Sequence, residues 1–292
     1  MIDLAPNHKS GLVVSNPILL GGGVIGCAES VPDALKQADC GAAVTGPFTW
    51  SSRRGRAPGR LAEVHSGFVL DTGLQNRGAR SSAKRFSRLW KRLGFPVVAQ
   101  IADSQMDDAL RTAREMERSG SVAGLELLLS QDLETTQVSA LVNAVVLESE
   151  LPIWVKVPYA RALEFCEAAA EAGADALVVS QAPTGMSPTS GATGWLESGS
   201  EGDESAIRNV SGPLTGPAVF PLVLQVAADV ISMNLDLPVL ACGGIHRWRD
   251  AASVLSVGAS AVQLDGALWV EPGLAGEIVD GWKQSGTSDL LE

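Results

Sequence analysis

The chain has 292 residues, 46% of them hydrophobic and 19% charged, with a formal net charge of −11. That length holds one large barrel or two ordinary domains, and the composition predicts a substantial core rather than disorder. The acidic balance argues against a nucleic-acid partner, which needs a basic face, but not against a small phosphorylated ligand held by backbone amides. Cys27, Cys40, Cys166 and Cys242 sit in apolar or helical contexts without CxxC spacing. They predict reduced thiols, no metal site and a cytoplasmic chain. The opening MIDLAPNHKSG lacks the basic-then-apolar order of a signal peptide, and no apolar run reaches bilayer length.

Taken in chain order, strand-like and helix-like segments alternate. Met1 to Leu4 and Leu12 to Val14, joined by a polar turn, read as a hairpin covering a barrel floor. Ile18 to Leu20 is a strand running into Gly21-Gly22-Gly23, and Ser30 is placed to cap a helix reaching about Asp39. Ala42 to Thr45 and Val97 to Ile101 are further strands, and Asp103 is placed as the cap of an amphipathic helix through Glu117. Leu125 to Leu129 precedes a helix from Leu133 to Glu148, and Ile153 to Val157 precedes one from Ala160 to Ala172. Ala176 to Val179 is followed by a segment, 181–212, too long for an ordinary connection and so read as a lid, binding loop or disordered stretch. Pro217 to Met233 reads as helix despite Pro221.

The segment Leu237 to Ala267 is the most compact unit. Leu237 to Cys242 is a buried strand, Gly243-Gly244 a sharp turn, Asp250 to Val257 a helix with Gly258 just past its end, and Ala261 to Leu264 a strand ending at Asp265-Gly266. Two adjacent parallel strands with glycine-rich exits offer converging N–H groups, a seat for phosphate. The alternation predicts parallel strands with crossover helices, and eight units in about 250 residues favour a closed barrel. The expected fold is therefore a single (β/α)8 barrel over residues 1–292 with an N-terminal β-hairpin.

Several segments together resemble the class 1 dihydroorotate dehydrogenases. They are SNPILLGGGVIG, GAAVTGPFTW, RRGRAPGRLAEVHSGFVLDTGLQNRG, LELLLSQD, PIWVKVPYA, EAGADALVVSQ, GPLTGPAVFPL and the Leu237 to Ala267 unit, in that order. The resemblance implies an FMN-containing barrel acting as an oxidoreductase on a small molecule, and a homodimer. It implies cofactor contacts from Gly21, Gly22, Lys156, Gly216, Gly243, Gly244 and Gly266. The scaffold matches, whereas the chemistry departs. Gly46 stands where the family has a lysine that touches flavin and substrate. Leu70, Leu128, Leu133 and Gln181 stand at four amide positions, and Gln131 stands at the catalytic cysteine. Asp265 replaces the glycine of a GTA motif near the phosphate.

Oxidation of dihydroorotate needs a base, and a neutral amide such as Gln131 accepts no proton at ordinary pH. Ser130 adjoins it but, by strand alternation, is expected to face the other way. Loss of amide contacts to a polar ring is worth roughly 10⁴-fold. Two readings follow: an FMN-dependent oxidoreductase with a different, less polar substrate, or a catalytically inactive paralogue with a binding or scaffolding role and a weakened or empty FMN site. A carboxylate ~5 Å from the phosphate at an effective dielectric of ~20 would repel it by roughly 3 kcal/mol. Pairing of Asp265 with Arg247 or Arg249 would relieve this. Other candidates have plain structural alternatives. Lys156 can pair with Glu126 in the barrel interior. His65, His246, Asp71 and Asp132 can be loop residues, and Arg53, Arg54, Arg56 and Arg60 a solvated cluster.

Overall fold

The computed structural model describes residues 1–189 and 208–286. Strands β1 (Ile2–Asp3) and β2 (Val13–Val14) pair antiparallel. There follow β3 (Ile18–Leu20), α1 (Asp33–Gln37), β4 (Ala42–Phe48), a hairpin of β5 (Leu61–Val64) and β6 (Gly67–Leu70), and α2 (Ala79–Trp90). Next come β7 (Val97–Ile101), α3 (Met106–Arg118), β8 (Gly124–Leu128), α4 (Thr135–Glu148), β9 (Ile153–Pro158), α5 (Ala162–Glu171) and β10 (Ala176–Gln181). The antiparallel pair β11 (Thr184–Thr189) and β12 (Arg208–Thr215) leads to α6 (Phe220–Ser232), β13 (Val239–Cys242), α7 (Trp248–Ser256), β14 (Ala261–Leu264), α8 (Ala267–Val270) and α9 (Leu274–Gln284).

Strands β3, β4, β7, β8, β9, β10, β13 and β14 close in chain order into one parallel barrel. The expected (β/α)8 barrel with an N-terminal hairpin is the observed fold. No described helix is long and apolar enough to cross a membrane. The barrel strands are buried on both faces, as strands covered by crossover helices must be. One core lies between strands and helices. A second fills the lower barrel interior, where Leu4, Leu12 and Val14 of the N-terminal segment meet Leu19, Val98, Trp154, Val178 and Leu240. The Trp154 indole donates to the Leu4 carbonyl at 3.2 Å, so the hairpin segment is fastened as the floor. A second sheet, β11-β12-β6-β5, is built from the loops after β4 and β10 and therefore belongs to the C-terminal mouth.

Several boundaries differ from expectation for local reasons. Helix α1 starts at Asp33 rather than after Ser30, because a residue preceding proline, here Val31, is disfavoured in helical conformation. Asp103 caps no helix, since α3 starts at Met106. Its carboxylate accepts from the Trp50 amide (2.9 Å) and the Thr112 hydroxyl (2.7 Å), and burial holds it above its ordinary range against those bonds. Helix α4 starts at Thr135, behind a Glu134–Gln137 capping box, rather than at Leu133. The ends of 181–212 are not loop but the paired strands β11 and β12, with Thr184 opposite Pro213. The middle of the segment, residues 190–207, lies outside the described residues.

Trp154 is fully buried at the floor of the barrel interior. Trp154→Ala is expected to cost about 3–5 kcal/mol through lost burial and the cavity left behind, read as a drop in the urea midpoint.

Candidate functional site

Alternation along the barrel strands sends every second side chain inward. Above the apolar floor this places Gln100, Glu126, Lys156, Cys242 and Gln263 in the interior, all buried. They form one hydrogen-bonded chain. Gln100 donates to Glu126 Oε1 at 2.7 Å and Gln263 donates to Glu126 Oε2 at 2.5 Å. Lys156 Nζ donates to Gln263 Oε1 and to Cys242 Sγ, each at 3.0 Å. Lys156 and Glu126 are thus joined through Gln263 and make no direct ion pair. Burial alone would push the Lys156 ammonium down. The negative charge around it, from Cys242 when ionised and from the Glu126 and Asp265 carboxylates, outweighs this and holds it above its ordinary value. Burial pushes the Cys242 thiol up to about 12, with Lys156 pulling it down and Asp265 pushing it up, so at neutral pH it is a thiol. An ammonium has three protons, and these contacts occupy two.

Asp265 follows β14 and is half-buried. Its Oδ2 lies 3.7 Å from Cys242 Sγ, so the carboxylate faces the barrel interior. The alternative pairing with an arginine is not what the structure shows: Arg247 reaches Asp250 at 3.7 Å. Of the predicted glycines, Gly21 and Gly266 lie beside Asp265. Gly21 follows β3, and its amide donates to the Leu264 carbonyl at 2.7 Å. Gly22 packs on the Gln100 amide, Gly266 on Thr215, and Gly216 on the turn at Ser66 and Gly67. Gly243 and Gly244 form the turn after β13, with φ of +121° and +70°. A Cβ at Gly244 would collide with the Phe220 backbone, so close approach demands glycine here irrespective of any ligand. The amides of Gly243, Gly244 and Gly266 donate to no acceptor among the described residues. His246 braces this turn, its Nδ1 lying 3.0 Å from the Gly244 carbonyl.

Across the mouth, over β8, β9 and β10, lies a cavity of about 590 Å³. Leu74, Leu128, Pro158, Tyr159 and Pro183 give it an apolar wall, and its polar groups include Arg53, Ser104, Ser130, Gln131, Asp132, Gln181 and Thr184. Ser130 and Gln131 both reach it, because the chain has left the strand at Leu128 and alternation no longer applies. The Gln181 amide is fastened to the Leu129 carbonyl at 2.5 Å and the Lys156 carbonyl at 3.1 Å. Leu133 is buried in the outer core, outside this cavity. Asp71 is also outside it: it pairs with Arg56 at 2.6 Å and accepts from the Gly73 amide. Asp132 is therefore the candidate loop carboxylate that lines the cavity, with Ser130 Oγ at 3.3 Å. His65 sits in the exposed turn between β5 and β6. Gly46 has φ +113°, and a Cβ there would stand 2.9 Å from the Gln100 carbonyl, so no lysine fits without a backbone shift.

The polar partners Gln100 and Gln263 escaped the sequence reading. Each is a lone polar residue within a buried apolar strand, in VVAQI and AVQL, and that interruption is the available signal. Among the described residues no cluster of three His, Cys, Asp or Glu side chains is arranged to hold a metal.

The family model described as dihydroorotate dehydrogenase matches residues 7–285. A relative from Desulforudis audaxviator is 30% identical over 281 residues, covering 92% of this chain and 88% of the relative. One from Bacillus pumilus is 28% identical over 282 residues, covering 92% and 87%. One from Bacteroides fragilis is 26% identical over 293 residues, covering 96% and 93%. Each is named as the catalytic subunit of dihydroorotate dehydrogenase B (NAD(+)).

Glu126 carries the balancing charge for Lys156 and accepts from two buried amides. Glu126→Leu is expected to destabilise the fold by about 3–5 kcal/mol, because it strands a buried ammonium and two donors. Chemical denaturation of this variant beside Glu126→Gln, which keeps the shape and loses the charge, checks it.

Proposed function

This chain belongs to the dihydroorotate dehydrogenase family, and from that premise we propose that it is an FMN-dependent oxidoreductase whose substrate is less polar than dihydroorotate. The observation that carries the reading is Lys156. It is a buried ammonium between the glycine turns and the cavity, with one proton left for an acceptor on a bound ring. FMN, when bound, supplies a ring able to take up a hydride. Its phosphate suits the unpaired amides of Gly243, Gly244 and Gly266, in the loops after the seventh and eighth barrel strands, with Gly216 beside them. Gly21 and Gly22 would flank the ring above β3.

The cavity side supports a change of substrate. Leu128 and Gln131 stand in its wall where the family pattern has an amide and the catalytic cysteine. A polar ring edge seated against Leu128, Leu74 and Pro158 would meet no donor on that wall, at a cost of about 1–3 kcal/mol for each group left unpaired, and only Arg53, the hydroxyls and the glutamines elsewhere in the cavity could serve it. Gln131 holds and orients but removes no proton. Ser130 and Asp132 line the same cavity and are the candidates for proton transfer there. The partner is a small molecule rather than a nucleic acid, and we place the protein in the cytoplasm as a homodimer. The second reading, a silent paralogue with a binding or scaffolding role, draws its support from Gly46, where no side chain fits without a backbone shift.

Purified protein incubated with FMN and desalted is expected to keep the yellow chromophore and to show no steady turnover of dihydroorotate with a dye acceptor. A colourless product would overturn the flavin reading in favour of the silent paralogue. Turnover of dihydroorotate would overturn the change of substrate.

A further inference from the structure

Asp265 stands beside the glycine turn after β14, and its surroundings do not account for it as a stabilising feature. The carboxylate is half-buried, and among the described residues no cation lies within ion-pair distance of it. Its side-chain contact is the Cys242 thiol at 3.7 Å, a weak donor. A carboxylate drawn partly out of water onto so weak a partner costs stability rather than supplying it. The nearest buried positive charge is Lys156, whose Nζ lies 3.0 Å from the same sulfur. The three charges of this interior are then Lys156, Glu126 and Asp265, one positive and two negative, where the pair Lys156 and Glu126 alone would be neutral.

We propose that Asp265 is a positioning residue that acts through Cys242 as a second counter-charge to Lys156, and so turns the seat against ligands that gain negative charge on binding or on reduction. This rests on the flavin reading for its consequence but not for its geometry. In a neutral seat a lysine beside the ring favours the reduced, negatively charged form. With Asp265 present that preference is cancelled, and the seat favours the oxidised, neutral ring. A charge several ångströms away at an effective dielectric of ~20 is worth on the order of tenfold to a hundredfold in such a preference.

Two measurements on Asp265→Asn test this, with Asp265→Ser as a second variant should the first fold poorly. In the flavin-free chain, the rate of alkylation of Cys242 by iodoacetamide at fixed pH is followed by peptide mass spectrometry. Loss of the carboxylate removes the negative charge nearest the sulfur and leaves Lys156 balanced by Glu126 alone, so the thiolate fraction and the rate are expected to rise severalfold. Cys166, buried in α5, serves as the control. An unchanged Cys242 rate, or an equal rise at Cys166 that reports mere loosening, would overturn the counter-charge. In the FMN-loaded chain, the midpoint potential of the variant is expected to rise, by about 30 mV for each tenfold gain in preference for the reduced ring. An unchanged potential would overturn the tuning role. If neither protein retains FMN, the flavin reading and the tuning role fall together, while the alkylation rates still decide whether Asp265 opposes Lys156.

Discussion

The upper barrel interior is organised by the need to keep one buried ammonium charged. Lys156 sits among strands with almost no water, where an isolated charge would cost several kcal/mol or give up its proton. The barrel meets this by spending four further interior positions on it. Glu126 supplies the opposite charge, Gln263 relays between the two, Gln100 satisfies the remaining carboxylate oxygen, and Cys242 accepts from the ammonium on the far side. Each group is held by another, so the network is costly to interrupt at any member and leaves no slack for the ammonium to withdraw. An apolar layer of equal volume would fill the same space at lower risk. Holding a charge here therefore makes sense as preparation for a ligand at the mouth rather than as a device for stability.

Lys156 also divides the mouth. Its chain rises from β9, beneath the cavity, and its ammonium reaches the side chains of β13 and β14, beneath the glycine turns. The turns offer backbone donors and close approach, suited to a phosphate. The cavity offers apolar wall and a few polar groups, suited to a small organic molecule. The two halves differ by different means from the pattern that the resemblance implies. On the cavity side leucine or glutamine stands at its polar positions, which leaves the backbone alone. At Gly46 the change reaches the backbone, since the space a side chain would need is closed by the Gln100 carbonyl. The glycines themselves carry less information than their motif suggests. Gly244 and Gly216 are required by packing against Phe220 and Ser66, and it is the unpaired amides that speak for a ligand.

What was legible in the sequence follows from the same physics. Barrel strands buried on both faces are short apolar runs between punctuating glycines and prolines, and these could be read almost to the residue at Ile18–Leu20, Val97–Ile101 and Ala261–Leu264. Helix α2 left no such mark, because its buried stripe is Ala79, Ser82, Ala83, Phe86 and Trp90, with small residues where a pattern of large apolar ones would announce a helix. The β5–β6 hairpin is too short and too exposed to show alternation. Of the site, the residues on strand exits were legible by position, whereas the orientation of Asp265 was not. Whether it met Arg247, a phosphate or the interior depends on a side-chain direction set by β14 and by the competing claim of Asp250 on Arg247.

That orientation changes the meaning of the divergence. A carboxylate aimed at the phosphate seat would simply have spoiled it, as one more lost function beside Gly46 and Gln131. Aimed inward, it leaves the unpaired amides untouched and acts on Lys156 instead, through a sulfur that holds both. A chain drifting free of function has no reason to keep a buried ammonium, its relay and its counter-charge, since replacing them all with apolar residues relieves the burial cost. Here the whole network stands, with a further charge added at its edge. The geometry is that of a buried charge network standing complete beneath the mouth, and the proposed change of substrate would draw on it.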